Sequence, residues 1–444
     1  MFNRITVVIQ RLSPELLKIL SNIGWLFADR VLRLGIGIIV TAWIARYLKP
    51  EQFGLFNYAT AFVSLFGMLA TLGLDQIVVR DMVREPSCKN EILGTAFVLK
   101  LLGGISTVLL AIGTVLLLRP DEQVTHWLVG IIAVGTIFDA FNTIDFWFQL
   151  QVKSKYTVIA KNTAFIVSTF IRIALLQMQA DLVTFAWALL AELFLGAMGL
   201  VIAYRVSGQS FLEWRASWQR AKSLLKDSFP LIFSGIAIMI YLRIDQVMLG
   251  QLADNEAVGI YSVTTRISEV WYFIPSAITS SVAPAIATAK KFNETLYYNK
   301  LQKLFNLMAV LGYSIAIPMM FLGKYIITLV FGQTYASGSE VLAIQIWTGL
   351  FCFFGFSKSL WIINEGRTKY DLVEKSFGAI LNILLNLLLI PIYREKGAAI
   401  ATLISYGFVD YFMCFLYAPA RKLGWMMTKA LALNFFTQRN KGLI

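Results

Sequence analysis

The chain has little of the side-chain chemistry that most enzymes use. It contains one histidine, His126, and three cysteines in 444 residues, which excludes a multi-histidine metal site or a histidine proton relay. The cysteines share no close spacing, so we expect neither a disulfide framework nor a metal site. The sequence has no P-loop, no GxSxG motif and no pair of catalytic carboxylates on a loop. The protein is therefore predicted not to be an enzyme and to need no cofactor.

Charged residues are also scarce. They make up 15% of the chain, whereas 58% of the residues are hydrophobic and the mean hydropathy is +0.68. Soluble domains contain roughly a quarter charged residues. A water-soluble protein of this size could not bury so much apolar surface, so the composition predicts a membrane protein with many spans. The net charge of +13 fits basic cytoplasmic loops and does not indicate nucleic acid binding.

Apolar runs of about 20 residues, enough to cross a bilayer, recur along the chain. Pro275 and Pro284 predict a kink or break within one long run. Most of the 39 Lys and Arg residues fall in segments on one side, which places both termini in the cytoplasm. The N-terminus lacks a cleavable signal and is typical of a basic amphipathic helix. About twelve spans are predicted, near residues 23–46, 54–78, 94–118, 127–150, 163–179, 184–206, 229–250, 259–289, 304–322, 339–363, 376–393 and 397–418.

The two halves of the chain resemble each other. "ARYLKPEQFGLFNYAT" (45–60) aligns with "GQLADNEAVGIYSVTT" (250–265). Six predicted spans in each half return the chain to the same side, which indicates parallel repeats. We expect six-helix lobes at 1–222 and 223–418 around a central cavity, followed by a basic amphipathic cytoplasmic tail at 419–444. A second set of matches has a constant spacing of 214 residues and pairs Trp147, Lys155, Tyr156 and Lys161 with Trp361, Lys369, Tyr370 and Lys375.

Several ionisable residues fall inside the predicted spans, where they are costly and usually face a cavity or a partner. Asp29 and Arg33 are four residues apart and can pair on one helix face, as can Arg266 and Glu269 at a spacing of three. Arg30 shares a face with Arg33, and two like charges there favour an anion or an acid from another helix. Both a structural role and a ligand-binding role remain open for these residues.

Arg243 and Asp245 lie together in "RIDQVMLG" near the start of the second half. Two residues on a helix are separated by roughly 200°, so the two side chains do not face each other. Gln246 does share a face with Arg243. Arg243 therefore needs an acid from another span or an anionic ligand, and Asp245 is expected to bond another helix or bind a coupling cation.

The fourth predicted span carries a polar stripe at three-residue spacing, formed by Asp139, Asn142 and Asp145. This stripe could face water in a cavity, pair with arginines of other spans, or bind a cation. Lys100 and Lys358 lie near the inner ends of their spans, where long basic side chains can extend to the membrane surface.

The stretches "RIDQVMLG", "GIYSVTTRISEVWYFIP" and "KGAAIATLISY" resemble the Wzx-like polysaccharide and O-antigen flippases. These belong to the polysaccharide transport family of the multidrug/oligosaccharidyl-lipid/polysaccharide exporter superfamily. The likeness runs from Asn22 to about Ala418. It implies a transporter of the bacterial plasma membrane that moves an undecaprenyl-diphosphate-linked oligosaccharide to the outer leaflet. We expect the protein to be a monomer and to work by alternating access. Its partners would be this cargo, membrane lipids, and a polysaccharide polymerase and glycosyltransferases.

Such a cargo needs cations for its diphosphate and polar or aromatic groups for its sugars. An acid could bind a coupling H⁺ or Na⁺. Alternatives are a cation-coupled multidrug exporter of the same superfamily, a peptidoglycan-precursor carrier, and a membrane-embedded glycosyltransferase or polymerase. The candidate residues are Arg30, Arg33, Arg243 and Arg266 for diphosphate, Asn142, Gln246 and Trp147 for sugar, and Asp29, Asp139, Asp145 and Asp245 for a coupling ion.

Overall fold

Helices make up almost all of the structure. The computed structural model describes residues 14–433, with side chains from residue 21 onward apart from residue 23. No β-strand occurs in this part of the chain. The helices are α1 (Pro14–Thr71), α2 (Asp75–Arg84), α3 (Lys89–Leu118), α4 (Gln123–Gly135), α5 (Thr143–Leu150), α6 (Ser154–Gln177), α7 (Leu182–Val206), α8 (Trp218–Leu252), α9 (Asn255–Glu269), α10 (Phe273–Phe292), α11 (Glu294–Phe331), α12 (Gly338–Gln345), α13 (Thr348–Asn364), α14 (Thr368–Gly407), α15 (Met413–Leu416) and α16 (Arg421–Leu431).

Ten helical stretches of the described chain are long and apolar enough to cross a membrane. Two of them contain a backbone break, at Lys49 (φ 60°, ψ 170°) in α1 and at Arg394 (φ 53°, ψ −130°) in α14. Pro50 follows the first break, and a proline disfavours helical geometry in the residue before it. Counting two crossings in each broken stretch gives the twelve predicted spans, and the all-α membrane fold is confirmed.

The break in α14 reverses the direction of the chain. A Cβ added to Gly397 would lie 2.3 Å from the carbonyl oxygen of Leu389. Residues eight apart in a continuous helix are separated by about 12 Å. The segments before and after Arg394 therefore form a tight helical hairpin, and glycine permits the close approach.

The predicted interruption around Pro275 and Pro284 is confirmed at one position. A 3₁₀ turn at Val270–Tyr272 separates α9 from α10. Pro275 follows in the first turn of α10, where its missing N–H costs no hydrogen bond. Pro284 lies inside α10, and the chain stays helical through it.

The chain divides into two compact units. Unit 1 contains residues up to Tyr47 together with Phe62–Ile236, and unit 2 contains Leu48–Ala61 together with residues from Ala237 onward. The division falls inside α8 and assigns the start of the second span to unit 2. The lobes predicted at 1–222 and 223–418 stay a prediction.

The core of unit 1 packs α2, α3, α5 and α7 around Ile77, Leu93, Phe148 and Tyr204. The first turn of α8 is held on this unit by charge. Arg220 donates a hydrogen bond to Glu85, and its guanidinium holds the pKa of that carboxyl below its ordinary value.

The core of unit 2 is built on α11 and α13, with α16 packed against it through Leu423 and Met427. The predicted tail is thus helical and docked over Arg421–Leu431. Residues 1–13 and 434–444, which hold parts of the predicted N-terminal helix and tail, lie outside the described residues.

Candidate functional site

Arg33 lies at the centre of a chain of ion pairs that joins α1, α6 and α7 in unit 1. Its Nε donates to Asp29 Oδ1 at 2.9 Å, and its Nη1 lies 3.8 Å from Glu192 Oε1. Arg172 Nη2 donates to the other oxygen of Glu192 at 2.7 Å. The predicted Asp29–Arg33 pair is confirmed. The charge of Arg33 is thus balanced within unit 1 by two acids.

Two polar cavities lie beside this chain, with volumes of about 200 and 510 Å³. Lys161 lines both of them, and its Nζ lies 3.8 Å from Asp145 Oδ2. Thr157 lines the larger cavity, and its buried hydroxyl has no hydrogen-bond partner among the described residues. The smaller cavity is also lined by Arg33, Asp139, Asn142 and Glu192, and the larger one by Asn22, Asp29, Asp145 and Gln149.

The predicted polar stripe of the fourth span lines these two cavities. Asn142 Nδ2 donates to Asp139 Oδ1 at 3.1 Å, and Gln149 Nε2 donates to Asp145 Oδ2 at 3.2 Å. Both acids keep part of their surface open to the cavities. This placement agrees with the interpretation that the stripe faces a cavity, and roles in sugar or cation binding stay predictions.

Asp245 occupies a closed polar cage in unit 2. Asn386 Nδ2 donates to its Oδ1 at 2.5 Å, and the hydroxyls of Tyr261 and Thr402 donate to its Oδ2 at 2.7 and 2.5 Å. Asn386 also donates to Asn382 Oδ1 at 3.0 Å. The residue is only 3% exposed, and no Lys or Arg whose side chain the structure describes forms an ion pair with it.

A buried carboxylate without a counter-charge is costly in an apolar environment. The three hydrogen-bond donors around Asp245 offset part of this cost, and a role for Asp245 in binding a coupling ion stays a prediction. The hydroxyl oxygens of Thr402 and Tyr261 contact the carboxyl group, and oxygen is the ligand atom that hard cations prefer. α8, α9 and both arms of the α14 hairpin supply the cage, so its assembly depends on the turn at Arg394.

Arg243 points away from this cage, as helix spacing predicted. Its Nη2 lies 3.7 Å from Glu269 Oε2, and both side chains are about one-third exposed. Arg266, one turn before Glu269, is exposed, whereas Gln246 is buried. The expected acid from another helix is therefore Glu269, which holds Arg243 only loosely.

Two other predicted residues lie in different surroundings. Arg30 is exposed and forms no ion pair with another described residue. Trp147 is buried in the core of unit 1, where its ring meets Tyr204 edge to face at 5.5 Å. This position gives Trp147 a packing role, and the sugar contact predicted for it remains a prediction.

A second ionic cluster, not anticipated as a site, lies inside unit 2. Lys358 Nζ donates to Glu374 Oε2 at 3.0 Å and to the carbonyl oxygen of Val409 at 2.8 Å, and lies 3.5 Å from Asp410 Oδ1. Lys375 donates to the same Asp410 oxygen at 3.1 Å. Asp410 sits in a π-helical turn, Phe408–Phe412, of the kind often found at functional sites.

The expectation that Lys358 and Lys100 extend to the membrane surface is wrong. Both side chains are about 1% exposed. Lys100 donates to Asp75 at 2.8 Å, and its ammonium lies 4.7 Å from the centre of the Phe146 ring. Partners from neighbouring helices, which sequence spacing does not reveal, hold both lysines inside.

Some residues of these sites were missed as site residues although the sequence carried signals for them. Asn382 and Asn386 are four residues apart in the apolar stretch of α14, a spacing that puts both on one face. Lys161 belongs to the matched set of the internal repeat. Thr402 gave no comparable signal, because a single threonine in an apolar helix is common.

The chain belongs to the polysaccharide biosynthesis protein family, whose sequence profile matches residues 19–290. A second profile, MatE, matches residues 230–388. The expected resemblance to polysaccharide flippases is thereby confirmed.

Curated relatives align over most of the chain at low identity. The chain is 23% identical over 397 residues to the probable flippase AglR of Haloferax volcanii, covering 85% of this chain and 79% of the relative. It is 22% identical to the capsular polysaccharide biosynthesis protein CapF of Staphylococcus aureus, covering 87% and 96%. It is also 22% identical to a putative O-antigen transporter of Shigella dysenteriae, covering 84% and 94%.

Solved structures show the same fold. An inward-facing multidrug resistance MATE family transporter of the MOP superfamily superposes with a TM-score of 0.71 at 13% identity, covering 90% of this chain and 95% of that one. The lipid II flippase MurJ, in an inward closed conformation, gives a TM-score of 0.67 at 14% identity, covering 95% and 93%. The predicted plan of about twelve helices in two six-helix halves is confirmed.

Proposed function

We propose that this protein moves an undecaprenyl-diphosphate-linked oligosaccharide from the cytoplasmic to the outer leaflet of the bacterial plasma membrane, for surface polysaccharide export. The observation that carries the proposal is the family match over residues 19–290, together with relatives that are named flippases or O-antigen transporters. Both termini would lie in the cytoplasm, and the monomeric protein would receive cargo from glycosyltransferases and deliver it to a polymerase. No enzymatic step is required.

The diphosphate needs cationic partners, because an unpaired anion is strongly disfavoured inside a membrane. Arg243 and the exposed Arg266 are the best placed of the predicted set. Arg243 is part-exposed, and its one ion pair among the described residues is with Glu269 at 3.7 Å, so exchange of the carboxylate for a phosphate oxygen costs little. Arg30 is exposed in unit 1. To bind a phosphate, Arg33 would have to break its contacts with Asp29 and Glu192. This cost supports a role for Arg33 in positioning those acids.

Alternating access is the mechanism we propose, with the site opening first to one side and then to the other. Asp245 is the candidate for coupling. Its cage offers a carboxyl surrounded by neutral oxygen and amide groups in the described residues. Binding and release of H⁺ or Na⁺ there would change the charge of a buried centre, and such a change can shift the balance between two conformations.

A strain that lacks the gene tests the role of Arg243. We expect Arg243→Ala to reach the membrane and yet abolish surface polysaccharide, because the cargo loses a phosphate partner. Arg243→Lys tests geometry, since lysine keeps the charge and loses the bidentate fork. The measurement is surface polysaccharide by immunoblot, normalised to protein in the membrane fraction. Normal export by Arg243→Ala would rule out the substrate contact.

The second candidate function is a cation-coupled multidrug exporter. The MatE profile over residues 230–388 favours it. Efflux of a cationic dye on overexpression, with normal surface polysaccharide in the deletion strain, would support this function. Loss of polysaccharide in the deletion strain without dye efflux would support the flippase.

A further inference from the structure

Helices α6 and α7 of unit 1 form an apolar groove of about 500 Å³ on their outer surface. The floor is made by small residues. Ala160, Ala164, Gly199 and Ala203 line it, and a Cβ added to Gly199 would lie 3.1 Å from Ala160 Cβ. The walls are larger and partly exposed, and come from Tyr156, Ile159, Thr163, Val167, Met198 and Ile202.

The groove is elongated along α6. Its lining on α6 runs from Tyr156 to Val167, which corresponds to about 17 Å along a helix axis. Two helices bound it and small side chains form its base. Such a shape suits one extended hydrocarbon chain, whereas a phospholipid brings two chains to a surface.

The groove and the polar cavities share one helix. Ala164 lines both the groove and the smaller polar cavity. Lys161 and the unpaired buried hydroxyl of Thr157 lie on the cavity side of α6, whereas Ile159 and Thr163 line the groove. A molecule with a polar head and one apolar tail could therefore use both faces of the same helix.

The equivalent positions of unit 2 carry different chemistry. At the 214-residue spacing of the repeat, Ala160 of the groove corresponds to Glu374, and Gly196, which lines the smaller polar cavity, corresponds to Asp410. These two acids are buried and pair with Lys358 and Lys375. At Ala160, the apolar base of the groove in unit 1 is thus replaced by a buried acid in unit 2.

We propose that the groove between α6 and α7 binds the polyprenyl chain of the lipid-linked cargo, on the other face of α6 from the Lys161 cavities. This inference rests on the proposed function and assigns its lipid tail to a site. The small residues at the base give the chain close packing contacts, and the exposed walls leave the groove open to the bilayer, where the rest of a long chain stays.

The test is retention of undecaprenyl diphosphate by the purified full-length protein in lipid nanodiscs, measured by native mass spectrometry. Thr163→Trp fills the groove from an exposed position without entering the core. Ile166→Trp is the matched control, because Ile166 is exposed on the same helix and does not line the groove. We expect Thr163→Trp to lower retention at least fivefold and Ile166→Trp to leave it unchanged. Binding of geranyl diphosphate, whose chain is too short to fill the groove, should be the same in both variants.

Three outcomes would overturn the groove assignment. If the wild type and both variants retain undecaprenyl diphosphate to the same extent, the assignment of the polyprenyl chain to the groove is wrong and the proposed function stands. If Thr163→Trp displaces only phosphatidylglycerol, the groove is a site for ordinary membrane lipid. If the wild type retains no undecaprenyl diphosphate at all, the proposed function fails together with the groove.

Discussion

The two units place matched residues of the repeat in opposite surroundings. Lys161 of unit 1 borders two polar cavities and lies 3.8 Å from its nearest acid. Its counterpart in unit 2, Lys375, donates to Asp410 at 3.1 Å within a buried ionic cluster. The same helical frame therefore supports open, partly exposed charges in one half and closed, internally balanced charges in the other.

This difference indicates that the charged residues of the two units have different roles. Buried ions contribute to a fixed arrangement only when every charge is compensated, because removing one partner leaves the other desolvated. Partly exposed ions gain little from one another and can exchange partners for a ligand. Around its cavities, unit 1 has partly exposed ions that can exchange partners for a ligand. Unit 2 has buried, fully compensated ions around Lys358 and a neutral polar cage around Asp245.

The largest expected effect breaks the closed cluster of unit 2. Lys358→Met leaves Glu374 and Asp410 buried with one lysine between them, which should lower the free energy of unfolding by about 3–5 kcal/mol. Unfolding in SDS, followed by circular dichroism, measures this change. Lys161→Met in unit 1 is the control and should change it by less than about 1 kcal/mol. If both variants lose the same free energy of unfolding, the distinction between the closed cluster of unit 2 and the open charges of unit 1 is wrong.

The next effect concerns transport and not folding. Asp245→Asn keeps the size of the side chain and removes its negative charge, so a cation can no longer be bound and released. We expect export to fall by about 5–150-fold, the range of typical coupling energies, with little loss of folded protein. Polysaccharide export at several Na⁺ concentrations and pH values measures it. Unchanged export that responds to pH and Na⁺ as the wild type does would remove Asp245 from the coupling role.

The smallest effect sharpens the comparison at the matched lysines. Lys161→Gln should reduce export roughly fivefold, because a single partly exposed charge contact is worth about 1 kcal/mol. The amount and stability of folded protein should not change. Lys375→Gln should show the reverse pattern, with less folded protein and normal export per folded molecule. Surface polysaccharide divided by folded protein in the membrane separates the two.

Local helix geometry was predictable from the sequence. The spacing of Asp29 and Arg33 identified a real pair, and the 200° between Arg243 and Asp245 correctly sent them to different partners. Hydropathy correctly predicted the twelve crossings. In the structure, two of the long helices continue through a backbone break, at Lys49 and at Arg394, and each of these helices contains two crossings. Each of these features depends on residues within about one helical turn.

Long-range arrangement was not predictable in the same way. Lys358 was predicted to reach the membrane surface because its partners, Glu374 in the next helix and Asp410 further along the chain, lie beyond the reach of one helical turn. The cage of Asp245 needs Thr402 beyond the hairpin at Arg394, and no local pattern specifies that meeting. The groove of unit 1 depends on two helices packed through small residues, which in a single sequence look like ordinary apolar positions.

Reconstituted transport is the most direct test of the central claim. Purified protein in proteoliposomes should move an undecaprenyl-diphosphate-linked oligosaccharide between leaflets, which is measured by the fraction that an added, membrane-impermeant glycosidase can cleave over time. We expect the wild type to increase the rate well above protein-free vesicles and Arg243→Ala to abolish the increase. A wild-type rate equal to that of protein-free vesicles, with uptake of a cationic dye in the same vesicles, would contradict the account.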